Sequence, residues 1–189
     1  MSDKTKFPLA EAEPVAQSLL LRLSPYCERI VVAGSIRRSR PEDGDIELLF
    51  VPKMQERTVD FFEKKNVSLA DEAIEYMLNL GLLKKRPSKV GAFTWGPCNK
   101  LAVHVESGIP VDLFASIERN WWNALVCRTG GKENNLLITT TARRRGWTFE
   151  AYGSGFASLL RSDTRHDTTS ERNVFEFLGL PYKEPWERK

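Results

Sequence analysis

The sequence is short of cysteine and has no long apolar run. Its three cysteines, Cys27, Cys98 and Cys127, are widely spaced in 189 residues and form no C-x-x-C pair, so neither a disulfide framework nor a zinc knuckle is predicted. No stretch approaches the roughly 18 apolar residues of a bilayer span, and residues 1–6 lack the apolar segment of a signal peptide. These absences predict a soluble intracellular protein without a membrane partner, cytoplasmic if its host is bacterial or viral.

The chain also has little excess charge, and that excess is unevenly placed. The composition, 41% hydrophobic and 28% charged, is typical of a globular protein with a substantial core. The net charge of +3 falls within residues 121–189, which hold 11 basic and 8 acidic residues. The densest basic cluster is Arg143, Arg144 and Arg145. Such a cluster indicates either a solvated helix face or contact with a polyanion.

Helical and strand patterns alternate irregularly along the chain. The pattern predicts helices at 8–24, 68–80, about 117–128, about 131–145 and 170–178, and strands at 29–34, 45–51, 100–106, 109–114 and 147–152. Ser107 and Gly108 form a hairpin turn between two of these strands, and the polar residues 161–169 are predicted to be a loop. We therefore predict an α+β fold in which a mixed or antiparallel sheet has helices on one face. A smaller, helix-rich α+β unit is predicted to follow, with domains at 1–116 and 117–189.

Acidic residues interrupt a strand that is otherwise apolar. Asp45 and Glu47 share one face of the predicted strand, roughly 6–7 Å apart, and two like charges so placed require a nearby cation. Asp43 lies on the same period, so the spacing leaves open whether the working pair is 43/45 or 45/47. The opposite face is predicted to be core and consists of Ile46, Leu48 and Phe50.

A third carboxylate, Asp112, lies in the apolar strand Ile-Pro-Val-Asp-Leu-Phe. A buried carboxylate without a partner is costly, so Asp112 must have one. Three carboxylates on neighbouring strands are typical of a two-metal site for Mg²⁺ or Mn²⁺ that serves phosphoryl transfer. The alternative is that all three are exposed residues on the wet face of a half-covered sheet.

The segment Gly34-Ser35-Ile36-Arg37-Arg38 favours the metal-site interpretation. A glycine at a strand end followed by serine lets backbone N–H groups and a hydroxyl approach a phosphate. Arg37 and Arg38 supply fixed positive charge for a triphosphate. Gly-Ser alone is a common turn, but here the D-x-E strand follows about ten residues later and the third aspartate follows on a distant strand. The combination predicts a nucleotide and metal site.

These residues together resemble the family X DNA polymerases of the nucleotidyltransferase superfamily. The family pattern is Gly-Ser-x-Arg-Arg, a short spacer, Gly-Asp-x-Asp on a strand and a later strand aspartate, and here the second part reads Gly44-Asp45-Ile46-Glu47. The run T-G-G-K-E-N-N at 129–135 is similar to the Thr-Gly-Ser-Lys-Glu-His-Asn run of bacterial members. The segments 144–153 and 177–188 also resemble the family's closing segments. The resemblance covers nearly the whole chain in the family's order.

The resemblance implies a catalytic palm at 1–116 and a nucleotide-selecting thumb at 117–189. It implies a minimal form in which no helix-hairpin-helix lyase module precedes the palm, so that lyase activity is absent. The metal-binding and catalytic residues are then Asp45, Glu47 and Asp112, which hold two Mg²⁺ or Mn²⁺ ions. Asp112 completes the catalytic-metal site and draws on the primer 3′-hydroxyl. The implied partners are DNA, as primer-template or gapped duplex, and a dNTP, and the protein is expected to be a monomer.

The resemblance also implies nucleotide and DNA contacts. Ser35 and Arg38 hold the β and γ phosphates, the two glycines at 130 and 131 admit the nucleotide sugar, and Asn135 reaches the minor-groove edge of the base. The full nucleotide-binding set is Gly34, Ser35, Arg38, Gly44, Gly130, Gly131 and Asn135. The DNA-binding set is Arg128, Lys132, Arg143, Arg144 and Arg145.

Three positions depart from the family pattern. Glu47 replaces the usual second aspartate and is one methylene longer. Cys127 and Arg128 replace the aromatic pair that stands beside the sugar, so ribose discrimination is in question and Arg128 could instead contact phosphate or template. Pro110 stands where many members have an arginine two residues before the third aspartate. The role of that arginine must be absent or taken elsewhere.

The predicted activity is metal-dependent, template-directed addition of deoxynucleotides to a primer 3′ end, in filling short gaps during DNA repair. Two alternatives remain open. One is an untemplated transferase that attaches nucleotides to a protein, a small molecule or an RNA end. The other is a non-catalytic nucleic-acid-binding module with a degenerate site. The thumb-like tail disfavours the first, and the intact carboxylates disfavour the second.

Overall fold

The computed structural model describes residues 5–60, 63–88, 90–153 and 155–189. The chain divides into two compact units, Met1–Val32 with Glu42–Ala115 and Ala33–Pro41 with Ser116–Lys189. The segment Ala33–Pro41 therefore clusters with the second unit although it interrupts the sequence of the first. The division into functional domains at residue 116 stays a prediction.

Helices and strands alternate through both units. The helices are α1 (Leu9–Leu23), α2 (Gly34–Arg37), α3 (Leu69–Asn79), α4 (Trp121–Thr129), α5 (Lys132–Arg144) and α6 (Glu171–Phe177). The strands are β1 (Phe7–Pro8), β2 (Cys27–Val32), β3 (Glu42–Asp43), β4 (Ile46–Pro52), β5 (Met54–Asp60), β6 (Glu63–Ser68), β7 (Leu83–Lys85), β8 (Asn99–His104), β9 (Pro110–Ala115), β10 (Trp147–Phe149), β11 (Phe156–Ser158) and β12 (Arg165–His166). Short 3₁₀ turns cover Ser24–Tyr26, Glu118–Asn120 and Pro185–Glu187.

A five-stranded sheet in the order β2-β4-β9-β8-β7 forms the centre of the first unit. Strands β4 and β9 are parallel, and the other neighbours are antiparallel. The sheet is therefore mixed, and the predicted α+β fold class is confirmed. The predicted core residues Ile46, Leu48 and Phe50 are fully buried, and so is Leu49 on the opposite face. Strand β4 is thus covered on both sides beyond its acidic start.

Two amphipathic helices cover this sheet. Helix α1 packs against β2 and β4, and α3 packs against β4, β7 and α1. Ser68 caps α3 as predicted, because its hydroxyl accepts a hydrogen bond from the Asp71 N–H at 3.1 Å. The buried helix residues recur at three- and four-residue spacing and are Ala12, Ala16, Leu19 and Leu23 in α1 and Ala70, Ile74 and Met77 in α3. The spacing that predicted the helices is the spacing of their buried faces.

The predicted hairpin around Ser107 and Gly108 is also present. Strands β8 and β9 pair antiparallel on either side of it, and the His104 N–H donates to the Ile109 carbonyl at 2.9 Å. Gly108 has φ 69°, a left-handed conformation that glycine adopts without steric cost. This turn sets the register of β9 and hence the direction in which Asp112 points.

The structure differs from the sequence predictions in four places. Strands β5 and β6 form a two-stranded ribbon that the sequence pattern did not predict. Strand β12 lies within the stretch 161–169 that was predicted to be a loop. The predicted strand 147–152 ends at Phe149. The segment predicted as a phosphate turn instead forms the helix α2, which begins at Gly34 with a φ of 63°.

The second unit has its own core. Helices α4, α5 and α6 pack with the antiparallel sheet β10-β11-β12. Ring stacking extends this core, since the His166 and Phe177 rings lie parallel with centroids 3.8 Å apart. The buried cluster consists of Val126, Ile138, Ala142, Phe156, Val174, Phe175 and Leu178. The second unit is helix-rich with a small sheet, as predicted. In the described ranges, no helix is long and apolar enough to cross a membrane.

Candidate active site

An open cleft of ≈ 580 Å³ in the first unit contains two of the predicted carboxylates. Asp45, just before β4, and Asp112, in the middle of β9, both line it. Pro110 lines the same cleft, as does the guanidinium-bearing Arg86. The cleft is accessible, because Asp45 and Asp112 are both partly exposed.

The parallel pairing of β4 and β9 brings the third carboxylate beside them. Glu47 is the register partner of Asp112, and paired residues on adjacent strands lie about 4.8 Å apart across the sheet. Ile46, at the start of β4, is opposite Val111, so the acids lie at the same end of both strands. Glu47 is half-buried. The structure therefore gathers Asp45, Glu47 and Asp112 at one sheet end.

A basic residue that the sequence analysis missed contacts this group. Arg86, immediately after β7, donates from Nη2 to Asp112 Oδ1 in a short charged hydrogen bond. Its Nε donates to the Ala102 carbonyl at 3.0 Å, and its backbone N–H donates to the Leu101 carbonyl at 3.0 Å. The basic run Lys-Lys-Arg at 84–86 was the available signal. Spacing alone could not link it to an aspartate 26 residues away.

The chemistry of this group fits a hard divalent cation. Carboxylate oxygens are the ligands that Mg²⁺ and Mn²⁺ prefer, and Asp45, Glu47 and Asp112 supply them beside an open cleft. The arrangement is not that of a preformed cage, since no three His, Cys, Asp or Glu side chains in the described part of the chain are placed to hold an ion together. The oxygen atoms present suit such an ion chemically, but Asp112 is also bound by Arg86, and ion binding by these residues stays a prediction.

In the second unit, Arg37 belongs to a buried ion-pair network. Its guanidinium donates to both oxygens of Glu171, at 2.9 and 2.7 Å, and to the Thr129 hydroxyl at 2.6 Å. Arg188, which is 0% exposed, donates to the same carboxylate at 2.6 Å. Arg37 is thus held by Glu171, which it shares with Arg188, and by Thr129. Its predicted contribution of charge to a triphosphate stays a prediction.

Two arginines determine the charge state of Glu171. Burial alone would raise the pKa of this carboxyl, but the hydrogen bond from Arg37 and the charges of Arg188 and Arg37 outweigh burial, and the pKa is lowered from 4.5. Glu171 therefore remains ionised at neutral pH. The sequence analysis missed this residue because it lies 134 residues from Arg37.

The predicted phosphate-binding residues fall in both units. Ser35 and Arg38 belong to the segment of α2 in the second unit, and Gly44 belongs to the first. Arg38 Nη1 donates to the Thr129 carbonyl at 2.6 Å, which fixes the direction of this side chain. The phosphate contacts of Gly34, Ser35, Arg38 and Gly44 stay predictions.

The two glycines before α5 are approached closely by the chain itself. A Cβ on Gly130 would meet the Asn135 Oδ1 at 2.6 Å and the Asn134 Nδ2 at 2.7 Å, and a Cβ on Gly131 would overlap the Lys189 main chain. Asn135 Nδ2 donates to the Cys127 carbonyl at 2.8 Å. Packing against the main chain thus requires glycine at 131, whereas a Cβ at 130 would have to displace two side-chain amides. Their predicted contact with a nucleotide sugar, and that of Asn135 with a base, stay predictions.

An aromatic residue, Tyr152, contacts Arg128, which stands where the family has a member of its aromatic pair. Arg128 Nε donates to the Tyr152 hydroxyl at 2.9 Å, and the guanidinium carbon lies 5.2 Å from the centre of the Tyr152 ring. The pair therefore joins α4 to the segment after β10. It supplies a ring near residue 128 from a different part of the sequence.

The predicted DNA-contacting residues of α5 and its end are exposed. Lys132 begins the helix, and Arg143 and Arg144 lie in its last turn. Arg145 follows the helix and donates to the Phe177 carbonyl at 3.5 Å. Exposure suits contact with a polyanion. The DNA contacts of Arg128, Lys132 and the arginines at 143–145 stay predictions.

Comparison with known proteins identifies the second unit. Residues 124–189 match the family described as DNA polymerase beta thumb. No curated protein matches the chain in sequence.

The fold of the chain is that of polymerase beta. A Leishmania infantum polymerase beta structure, described as a ternary P/T complex, aligns at TM-score 0.72 and 20% identity over 98% of this chain and 77% of that one. A second, described as a ternary gap complex, aligns at TM-score 0.75 and 20% identity over 97% of this chain and 71% of that one. The resemblance to family X polymerases is thus confirmed for the thumb and for the fold.

Proposed function

We propose that this protein is a metal-dependent DNA polymerase that extends a primer 3′ end under the direction of a template and fills short gaps. One observation carries the proposal. Glu47 and Asp112 are register partners on parallel strands, and Asp112 shares an open cleft with Asp45. The polymerase beta thumb at 124–189 and the polymerase beta fold support a DNA substrate for this group.

The three carboxylates are the catalytic residues of this proposal. Two divalent ions held by Asp45, Glu47 and Asp112 would neutralise charge that develops on the phosphates during transfer. Asp112 also orients the primer 3′-hydroxyl. Phosphoryl transfer of this kind requires positioning and charge neutralisation and does not require a covalent nucleophile. The arrangement of half-buried acids beside an open cleft is suited to that task.

The other predicted site residues supply nucleotide and DNA contacts in this proposal. Ser35 and Arg38, with the Gly34 and Gly44 backbone, hold the triphosphate. Gly130, Gly131 and Asn135 select the nucleotide. The basic residues that contact the DNA backbone in this proposal are Arg128, Lys132, Arg143, Arg144 and Arg145. The protein acts on primer-template or gapped DNA with a dNTP, as a monomer.

Primer extension tests the proposal directly. The wild-type protein is expected to add dNTPs to gapped and open primed templates in Mg²⁺ or Mn²⁺. Extension of an unpaired single strand at the same rate would instead identify an untemplated transferase. Each rNTP, assayed beside its dNTP, shows whether Arg128 and Tyr152 replace the missing aromatic pair in sugar selection.

Matched variants link the activity to the cleft. Asp45→Ala and Asp112→Ala are expected to abolish extension, whereas Glu28→Ala, which removes an exposed acid from β2, is expected to leave it unchanged. Thermal unfolding of all three variants controls for loss of folding. Full extension by both aspartate variants would refute the assignment of the site.

A further inference from the structure

The charge on Asp112 is balanced by a residue outside its own strand and outside the two strands beside it. On the face of β9 that carries Asp112, the residues two before and two after it are Pro110 and Phe114, and neither has a charge. Across the sheet its register partners are Glu47 and Leu101. Asp112 therefore has a like charge beside it and no basic residue at these positions, so a cation must reach it from elsewhere.

Arg86 supplies that cation from a fixed position. Its backbone N–H and its Nε donate to two successive carbonyls of β8, those of Leu101 and Ala102, both at 3.0 Å. These two bonds fix the orientation of the guanidinium group, whose Nη2 donates to Asp112 Oδ1. Both side chains are partly shielded from water, with 24% of Arg86 and 14% of Asp112 exposed. Among the described residues that line the cleft, Arg86 is the basic one.

We propose that Arg86 is the positioning residue for Asp112. By holding Oδ1 it fixes the rotamer of the carboxylate, and by its charge it offsets the repulsion from Glu47. The inference rests on the proposed polymerase function and names the residue that prepares its third carboxylate. Arg86 takes this role although it follows β7, which is not adjacent to β9, and Pro110 brings no charge from β9 itself.

The pair has a consequence for metal binding by the free protein. A guanidinium on a carboxylate competes with a divalent ion for the same oxygen and also repels the ion. Arg86 therefore opposes ion binding in the absence of nucleotide, while it orients Asp112 for the reaction. Removal of Arg86 should consequently tighten metal binding and slow turnover. A residue that only stabilises the fold has no reason to change both quantities in opposite directions.

The first experiment measures Mn²⁺ alone. Binding of Mn²⁺ to the full chain without nucleotide is followed by the electron paramagnetic resonance signal of the free ion. Arg86→Leu is expected to bind Mn²⁺ several-fold more tightly than wild type, and Arg86→Lys, which keeps the charge, is expected to stay close to wild type. Arg57→Leu, which removes the exposed Arg57–Glu72 pair of the same unit, is the matched control and is expected to change nothing.

The second experiment measures turnover on a gapped template. Arg86→Leu is expected to lower kcat by about 10- to 100-fold with little change in the KM for dNTP, because partners that orient a ligand contribute about that much. Arg86→Lys is expected to recover part of the loss. Pro110→Arg in the Arg86→Leu background returns a guanidinium to the same face and cleft, and it is expected to restore kcat further and weaken Mn²⁺ binding again.

The outcomes separate this inference from the proposed function. If wild type extends primers but Arg86→Leu changes neither kcat nor Mn²⁺ affinity, the role of Arg86 is wrong and the polymerase stands. If Mn²⁺ binding tightens in Arg86→Leu while wild type extends no primer, Arg86 holds Asp112 as proposed and the polymerase function is wrong. Weaker Mn²⁺ binding by a folded Arg86→Leu protein overturns the inference. Should that variant unfold, Arg86→Gln, which also removes the charge, gives the same comparison, and Arg86→Lys remains its charge-retaining control.

Discussion

The two units surround their acidic side chains with charge in opposite ways. In the first unit, Asp45, Glu47 and Asp112 crowd like charges at the edge of an open cleft, with Arg86 beside one of them. In the second, the single carboxylate of Glu171 is enclosed by two arginines. The first arrangement can exchange its partners for a ligand, whereas the second is already satisfied. The acids proposed to be catalytic and the acid that holds two arginines in the fold thus differ in what surrounds them.

The largest expected effect is the loss of primer extension when an acid of the first unit is removed. Asp112→Ala should reduce primer extension by about 10³-fold or more, because ion-assisted charge stabilisation contributes several kcal/mol. The free energy of unfolding should change far less than the activity. Single-turnover rates and urea unfolding of the same preparation measure both. An unfolded Asp112→Ala protein would mean that the first unit, too, depends on its acid for folding.

The second prediction concerns the enclosed carboxylate. Glu171→Ala leaves Arg37 and Arg188 without their shared acid, and breaking such a buried pair costs about 3–5 kcal/mol of unfolding free energy. Urea unfolding at neutral pH measures the loss. Lys64→Ala, which breaks the exposed Lys64–Glu56 pair of the β5–β6 ribbon, is the control and should cause no measurable change. Equal effects from the two variants would contradict the contrast between enclosed and exposed pairs.

The third prediction uses pH. The pKa of Glu171 is lowered in the folded protein from its usual 4.5. Its contribution to stability is therefore complete above about pH 4.5 and is lost as pH falls through the folded value. Acid unfolding of wild type and Glu171→Gln should converge at low pH, since protonation removes what the variant already lacks. If the unfolding free energies of the two proteins differ by a constant amount down to the lowest pH, protonation of Glu171 is not coupled to unfolding.

The smallest expected effect is a difference in reactivity between two cysteines. Burial raises the pKa of the Cys27 thiol to about 12, so that at pH 8 the reactive thiolate is on the order of 10⁻⁴ of the population. Cys98 is exposed. Iodoacetamide at pH 8 should modify Cys98 and leave Cys27 intact until the first unit unfolds, as peptide mass mapping would reveal. Rapid modification of Cys27 in the native protein would mean that the first unit opens readily.

Local patterns predicted most elements of the fold. The three- and four-residue spacing in α1 and α3, the Ser68 cap and the Ser107-Gly108 turn all correspond to structure because each signal lies within a few residues. The β5–β6 ribbon was missed for the converse reason. Its described side chains, such as those of Gln55 and Lys64, are largely exposed, so the strands have no apolar face to produce an alternating pattern.

The site was predicted where the signal was local and missed where it was not. Asp45 and Glu47 share a strand, and Asp112 is an isolated acid in an apolar strand, so all three could be named from sequence. The contact between Arg37 and Glu171 was missed because the two residues are 134 positions apart. The contact between Arg86 and Asp112 was missed because it depends on the order of the strands in the sheet, which sequence spacing does not record.

The Glu47–Asp112 register also protects the chain against mispairing. A shift of β9 by one residue would turn Asp112 into the apolar interior and expose Val111 and Leu113, which are now fully buried or nearly so. Burial of an ionised carboxylate makes such a slip costly. The aspartate proposed to be catalytic therefore also favours the correct register of the sheet. An insertion or deletion in the Ser107-Gly108 turn should be tolerated less well than one in the β5–β6 ribbon.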